Sequence, residues 1–196
     1  WWCKAFTTEE EYVALWRFTQ DYLMWEKGVH NLLWAYSPDR SRMSLETFEQ
    51  DYAWGYPGDD RVDILGLDNY WDVGHKANTA PPEQQRVDFM RSLTMMGEMA
   101  LDRGKVTALT ETGYETIPDS TWWTGVVMEG LQANRFAGQA VYMQVWRNAN
   151  VQRERNDHYY APFPGHPSAP DFVRFMQSER MVFETELDTM RAALGL

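Results

Sequence analysis

The sequence predicts an α/β fold assembled from parallel strand–helix units. Helical and strand-like hydrophobic patterns alternate along the chain, the strand-like runs are apolar on both faces, and polar residues cluster just after them. Parallel neighbours need a crossover connection, and a helix in that crossover covers the sheet. A doubly wound sheet and a (β/α)8 TIM barrel both fit such alternation. The polar positions favour the barrel: Ser37, the run 68–70, Glu111 and the run 146–148 all fall at the C-terminal ends of predicted strands, where a barrel builds its active site. No Gly-x-Gly-x-x-Gly or Walker-type lysine loop follows the first strand, which counts against a nucleotide-binding sheet.

The first helix is announced by Thr8 with Glu11 three residues later, a capping box, and by Tyr12, Leu15, Trp16, Thr19, Tyr22 and Leu23 at helical spacing. These residues predict one buried face, ending near Gly28. The apolar run 29–36 reads as a strand covered on both faces and is stopped by Ser37-Pro38. A second helix is predicted from a Ser44 cap through Leu45, Phe48 and Tyr52, then a Pro57-Gly58 turn and a strand over 62–67. Pro82 opens a longer helix with the stripe Phe89, Leu93, Met96 and Ala100, closed by Gly104. A third strand over 106–109 leads into a Thr-Glu-Thr-Gly turn. Ser120 is a candidate cap for a helix carrying Trp123, Val127 and Leu131, with Trp122-Trp123 expected to lie half in the core and half at the mouth. A fourth strand over 140–146 precedes a long polar and aromatic loop, and two short helices, around 172–175 and 183–194, finish the chain.

A chain of 196 residues with 44% hydrophobic content can bury a sizeable core, so one folded domain is expected. A formal charge of −11 with no basic cluster argues against nucleic acid as a partner. No apolar run approaches the roughly 20 residues that cross a bilayer, so no membrane span is expected. The four histidines are dispersed and Cys3 is alone, which excludes a disulfide framework and leaves no spacing for a zinc site. No metal and no cofactor are expected. Ten tryptophans in so short a chain supply flat apolar platforms of the kind sugar rings stack on, although core filling uses the same residue.

Five segments make a resemblance specific: 28–38 (GVHNLLWAYSP), 56–60 (YPGDD) with 62–70 (VDILGLDNY), 109–113 (LTETG), 145–148 (VWRN) and 158–166 (HYYAPFPGH). In this order they resemble the C-terminal half of glycoside hydrolase family 26, whose members are mainly β-mannanases. The resemblance implies a barrel of which the four strands here are the fifth to the eighth, so residues 1–196 are expected to be a partial catalytic domain lacking its N-terminal half. It implies a nucleophile at Glu111 and an acid/base glutamate upstream of residue 1, with Trp1 and Trp2 as the tail of the aromatic cluster that follows it. It further implies that Tyr70 hydrogen-bonds the nucleophile, that Trp146 floors a sugar subsite, and that Arg147 and His158 serve a more distal one. His166 shares the loop of His158, and loop packing fits either. Asp68 orients groups nearby or bonds loop amides. For Arg147 the alternative is a salt bridge to a rim carboxylate, and for Tyr70 a cover over the barrel mouth.

The expected activity is that of a retaining endo-β-1,4-mannanase acting on mannan or galactomannan by double displacement. Retaining hydrolysis needs two carboxyl groups about 5 Å apart, one ionised and one protonated. With only one of them in residues 1–196, the isolated chain is expected to be inactive. The same chemistry on β-1,3-xylan or mixed-linkage β-glucan is the alternative within the class, and a noncatalytic carbohydrate-binding protein the alternative outside it. The parent is expected to be monomeric. From a polysaccharide substrate, the parent is expected to be secreted or periplasmic.

Overall fold

The computed structural model describes residues 5–150, 152–154 and 158–195; Trp1, Trp2 and the role expected of them lie outside the described residues. Helix α1 (Glu9–Asp21) begins as its sequence requires. The Thr8 hydroxyl accepts the Glu11 N–H at 3.2 Å, and the Glu11 carboxylate accepts the Thr8 N–H at 2.9 Å. A π-helical turn (Tyr22–Glu26) extends it, and Gly28 ends it with φ +65°. The broad buried face predicted for α1 is narrower: Leu15 and Tyr22 are exposed, and the inward side is Tyr12, Trp16 and Gln20. Trp16 sets its edge on Trp34 and Tyr36, while the Gln20 amide donates to the Arg61 carbonyl. Described neighbours cover this one side of the helix, so the rest of its apolar surface stays open.

Strand β1 is also shorter than predicted. Only Ala35–Tyr36 pairs, and Leu32 and Leu33 are exposed. The reason lies in the register, because the neighbouring strand β2 (Ile64–Asn69) starts opposite Ala35 and leaves residues before it no ladder to join. The Asp63 carboxylate takes up the Trp34 N–H at 2.8 Å in place of a strand partner. Between them, helix α2 (Phe48–Tyr52) starts four residues after the expected Ser44 cap. The Asp51 carboxylate accepts from both the Ser44 N–H (2.9 Å) and the Thr47 hydroxyl (2.8 Å), folding 44–47 into a turn.

Helix α3 (Pro82–Arg103) follows its pattern closely, with Pro82 in the first turn, Phe89, Leu93, Met96 and Ala100 all buried, and Gly104 closing it at φ +64°. Strand β3 (Val106–Thr112) is longer than predicted. It takes in Thr110, Glu111 and Thr112, the expected turn, because partners flank it on both sides: Asp68 pairs with Glu111, Asn69 with Thr112, and Thr112 in turn with Val145 of β4 (Ala140–Val145).

Ser120 does not cap the helix after β3, whose start carries no side-chain cap; the turn before it is closed by Asp119, its carboxylate accepting from the Thr121 N–H and hydroxyl at 2.8 Å each. A π-helical turn (Trp123–Met128) runs into the short α4 (Glu129–Leu131). Trp122 and Trp123 are both wholly core, edge to face at 4.7 Å, and the Trp122 indole donates to the Val73 carbonyl at 2.9 Å. This overturns the half-exposed placement: that hydrogen bond satisfies the Trp122 indole without water, and Trp123 is held among the rings of Phe172 and Phe175. Helices α5 (Ala169–Met176) and α6 (Glu184–Leu194) complete the chain. The strands run parallel in the order β1-β2-β3-β4, the arrangement of half a (β/α)8 barrel.

Gly97 in α3 tests how tightly the layers pack. A Cβ there would lie 2.3 Å from the backbone carbonyl oxygen of Phe136, which cannot turn aside as a side chain could. Helix propensity favours alanine over glycine by about 1 kcal/mol, whereas overpacking costs about 1–3 kcal/mol. Gly97→Ala is therefore expected to lower the urea midpoint of unfolding, and a raised midpoint would contradict the packing.

Candidate active site

Parallel pairing brings Ser37, Asp68, Tyr70, Glu111 and Trp146 to one edge of the sheet, at or just past the strand ends. Two of the sequence-predicted residues meet directly. The Tyr70 hydroxyl donates to Oε2 of Glu111 at 3.0 Å. Burial, followed by the negative charge of Glu111, pushes the Tyr70 phenol well above its ordinary range, so it stays a donor at any working pH. The ring of Tyr70 meets the edge of Tyr160 at 5.9 Å, and Tyr160 in turn crosses over Gly113. That glycine has φ +146°, and a Cβ on it would come within 2.4 Å of the Tyr160 ring.

Asp68 stands in register with Glu111 on the adjacent strand. Ser37 donates to its Oδ1 at 2.6 Å and Thr110 to the same oxygen at 3.0 Å. Burial is the main cause that lifts the Asp68 carboxyl from an ordinary 3.8 to about 6. The two hydroxyl bonds oppose that rise and the charge of Glu111 adds to it.

The distal residues are arranged differently. Trp146 keeps 41% of its surface exposed, a ring available at the edge of the site. Arg147 is paired: its two terminal nitrogens bond the two oxygens of Glu154 at 2.8 Å each, so the alternative of a rim salt bridge is the one this geometry shows. The pair holds the Glu154 carboxyl down at about 2, helped by the Asn150 N–H. His158 bonds Glu115 at 2.8 Å and sets its ring edge against Tyr160 at 5.3 Å. His166 is buried, bonded to Ser168 and Tyr159, and packs the loop.

Several residues that shape the site have no individual role assigned by the sequence, although Asn148 and Tyr160 lie within its marked segments. Asn148 clamps the last loop by accepting the N–H groups of Tyr160 and Ala161 at 2.9 Å each, and by donating to the Ala161 carbonyl. Glu115, Glu154 and Tyr160 acquire their roles only when that loop returns over β3. A cavity of about 630 Å³ opens between β4 and α5, walled by Trp123, Phe172, Phe175 and Phe183, and none of the predicted site residues lines it. Among the described residues no group of three His, Cys, Asp or Glu could hold a metal ion, and no helix is long and apolar enough to cross a membrane.

A glycosyl hydrolase family 26 model matches residues 1–150. The chain belongs to this family. Among family 26 structures, it matches a β-mannanase from Bacteroides ovatus at 41% identity with a TM-score of 0.74, over 90% of this chain and 46% of that one. A modular endo-β-1,4-mannanase from Cellulomonas fimi matches at 31% identity with a TM-score of 0.78, over 95% and 39%. A mannan endo-1,4-β-mannosidase of Bifidobacterium adolescentis is 32% identical over 189 residues, which is 92% of this chain and 18% of that protein. The chain thus spans less than half the length of these relatives.

Asp68 gives the site a signature in stability. Because its folded value of about 6 lies above the ordinary 3.8, the fold favours the neutral acid; that contribution is complete below 3.8 and is lost as pH rises through about 6. Relative to an Asp68→Asn variant, the unfolding free energy is expected to fall with pH across this window by on the order of 3 kcal/mol at most, less what solvent screens. Urea unfolding at pH 4 and pH 7 measures it, and parallel curves for the two proteins would refute the shift.

Proposed function

We propose that this chain is the second half of the catalytic barrel of a retaining endo-β-1,4-mannanase, with Glu111 as its nucleophile. The observation that carries the reading is the Tyr70–Glu111 hydrogen bond at the C-terminal edge of a parallel sheet. A phenol donating to Oε2 holds the carboxylate in one rotamer and leaves Oε1 for attack on the anomeric carbon. Attack forms a glycosyl ester on Glu111 while the leaving sugar oxygen takes a proton from the acid/base glutamate, expected upstream of residue 1. A water molecule, deprotonated by that same glutamate, then attacks the anomeric carbon and releases Glu111.

Substrate recognition follows from the same edge. The open ring of Trp146 offers a stacking floor that binds a sugar without fixing its hydroxyl pattern. Arg147 gives two of its N–H groups to Glu154 and keeps the remaining donors of a fork with about five for hydroxyls of a more distal sugar. His158 is held beside it through Glu115 and Tyr160. The relatives' mannanase names support β-mannan or galactomannan as the substrate. A polymer of that size is met outside the cytoplasm, so a secreted or periplasmic, monomeric enzyme fits the reading.

The test joins this chain to the upstream half of its barrel and assays mannan, mixed-linkage β-glucan and β-1,3-xylan. Wild type is expected to release mannooligosaccharides from mannan in preference to products from the other two. Glu111→Ala should lose about 10³-fold or more in kcat. Tyr70→Phe, which deletes one bond to a charged group, should lose about 10–100-fold. Equal turnover by wild type and Glu111→Ala would end the nucleophile assignment.

A further inference from the structure

Beside Glu111 lies a three-oxygen cluster for which the proposed reaction has no assigned use. Ser37 follows β1, Asp68 lies on β2 and Thr110 on β3, so three consecutive strands each contribute one member. Ser37 and Thr110 both donate to Oδ1 of Asp68, and their own hydroxyl oxygens touch. Gly66 leaves room for the cluster, since a Cβ there would come within 2.6 Å of the Thr110 side chain and 3.1 Å of Ser37 Cβ. Oδ2 of Asp68 accepts no hydrogen bond among the described residues.

We propose that Ser37 and Thr110 are positioning residues of the active site: their hydroxyls pin one oxygen of Asp68 and thereby present the other to a hydroxyl of the sugar bound against Glu111. The inference rests on the reading of Glu111 as nucleophile. Two donors from strands on either side of β2 fix both the rotation and the tilt of the carboxylate, which one donor would leave free to swing. They also keep it ionisable where burial opposes ionisation. The groups facing Asp68 are otherwise acidic or phenolic: Glu111 from β3, Asp39 after β1, Tyr142 from β4, Tyr52 from α2, and Tyr70. None of these supplies a positive charge, so among the described residues the two hydroxyls are what favours the anion.

Losing either hydroxyl should therefore raise the titration of Asp68. In the joined enzyme, Thr110→Val and Ser37→Ala are each expected to lower kcat/KM on mannan by about tenfold and to move the acid limb of its pH profile upward by about one unit. Thr110→Ser, which restores the hydroxyl, should bring back both. A loss of packing alone would lower activity without moving the limb, and Thr110→Ser would not repair it; that result overturns the proposal. Carboxyl-carbon NMR titration of Asp68 separates this from failure of the nucleophile assignment, because it needs no turnover. If Glu111→Ala is as active as wild type, the nucleophile reading falls and the kinetic arm with it. An Asp68 titration unmoved in both Thr110→Val and Ser37→Ala overturns the positioning role by itself.

Discussion

Parallel pairing sends every strand's C-terminal end to the same edge of the sheet, and the β2–β3 register turns that edge into a site. Asp68 opposite Glu111 and Asn69 opposite Thr112 place two carboxylates side by side, with Tyr70 just beyond to bond one of them. A slip of one residue would send these side chains to the other face of the sheet. The ladder is locked from both sides, because Thr112 is also opposite Val145 and its hydroxyl bonds the Asn69 carbonyl at 2.7 Å. Gly66, at the irregularity just before Asp68, accommodates the side chains that crowd the interior there.

Bringing two carboxylates together in a half-buried edge has an electrostatic cost, and the chain offsets it with neutral donors. Tyr70 serves Glu111, while Ser37 and Thr110 serve Asp68. Charge is instead paired further out, where Arg147 and Glu154 brace the last loop and Asn148 ties that loop to Tyr160. The loop carries His158 toward the same rim, and Gly113 lets Tyr160 pass close over β3. Positioning therefore radiates from the sheet: rigid backbone first, hydroxyl donors next, then a loop whose own polar contacts fix its course.

Legibility in the sequence followed the range of the forces involved. The capping box at Thr8 and Glu11 is a contact between residues three apart, and α3 has a stripe, a proline start and a glycine stop all within its own length. Both were readable. The start of α2 depended on Asp51 reaching back to Ser44, and Ser120 caps nothing because Asp119 closes the turn before Trp122 and the helix starts without a side-chain cap. The extent of β1 and β3 depended on where their neighbours begin and end. For that reason the apolar run 29–36 yielded only two paired residues, while the polar run 110–112 became strand.

By itself the sequence determined the order and type of the units, the parallel sheet they imply, and the motifs by which Glu111, Tyr70 and Trp146 were singled out. Each of these is written in periodicity or in a short run of neighbours. Tertiary structure alone decided which of the singled-out residues meet: Tyr70 and Glu111 bond across 41 positions, Ser37 and Asp68 across 31, and Arg147 turns to Glu154. Hydrogen bonds have a reach of about 3 Å, and only the register of paired strands and the return of a long loop bring such distant positions within it.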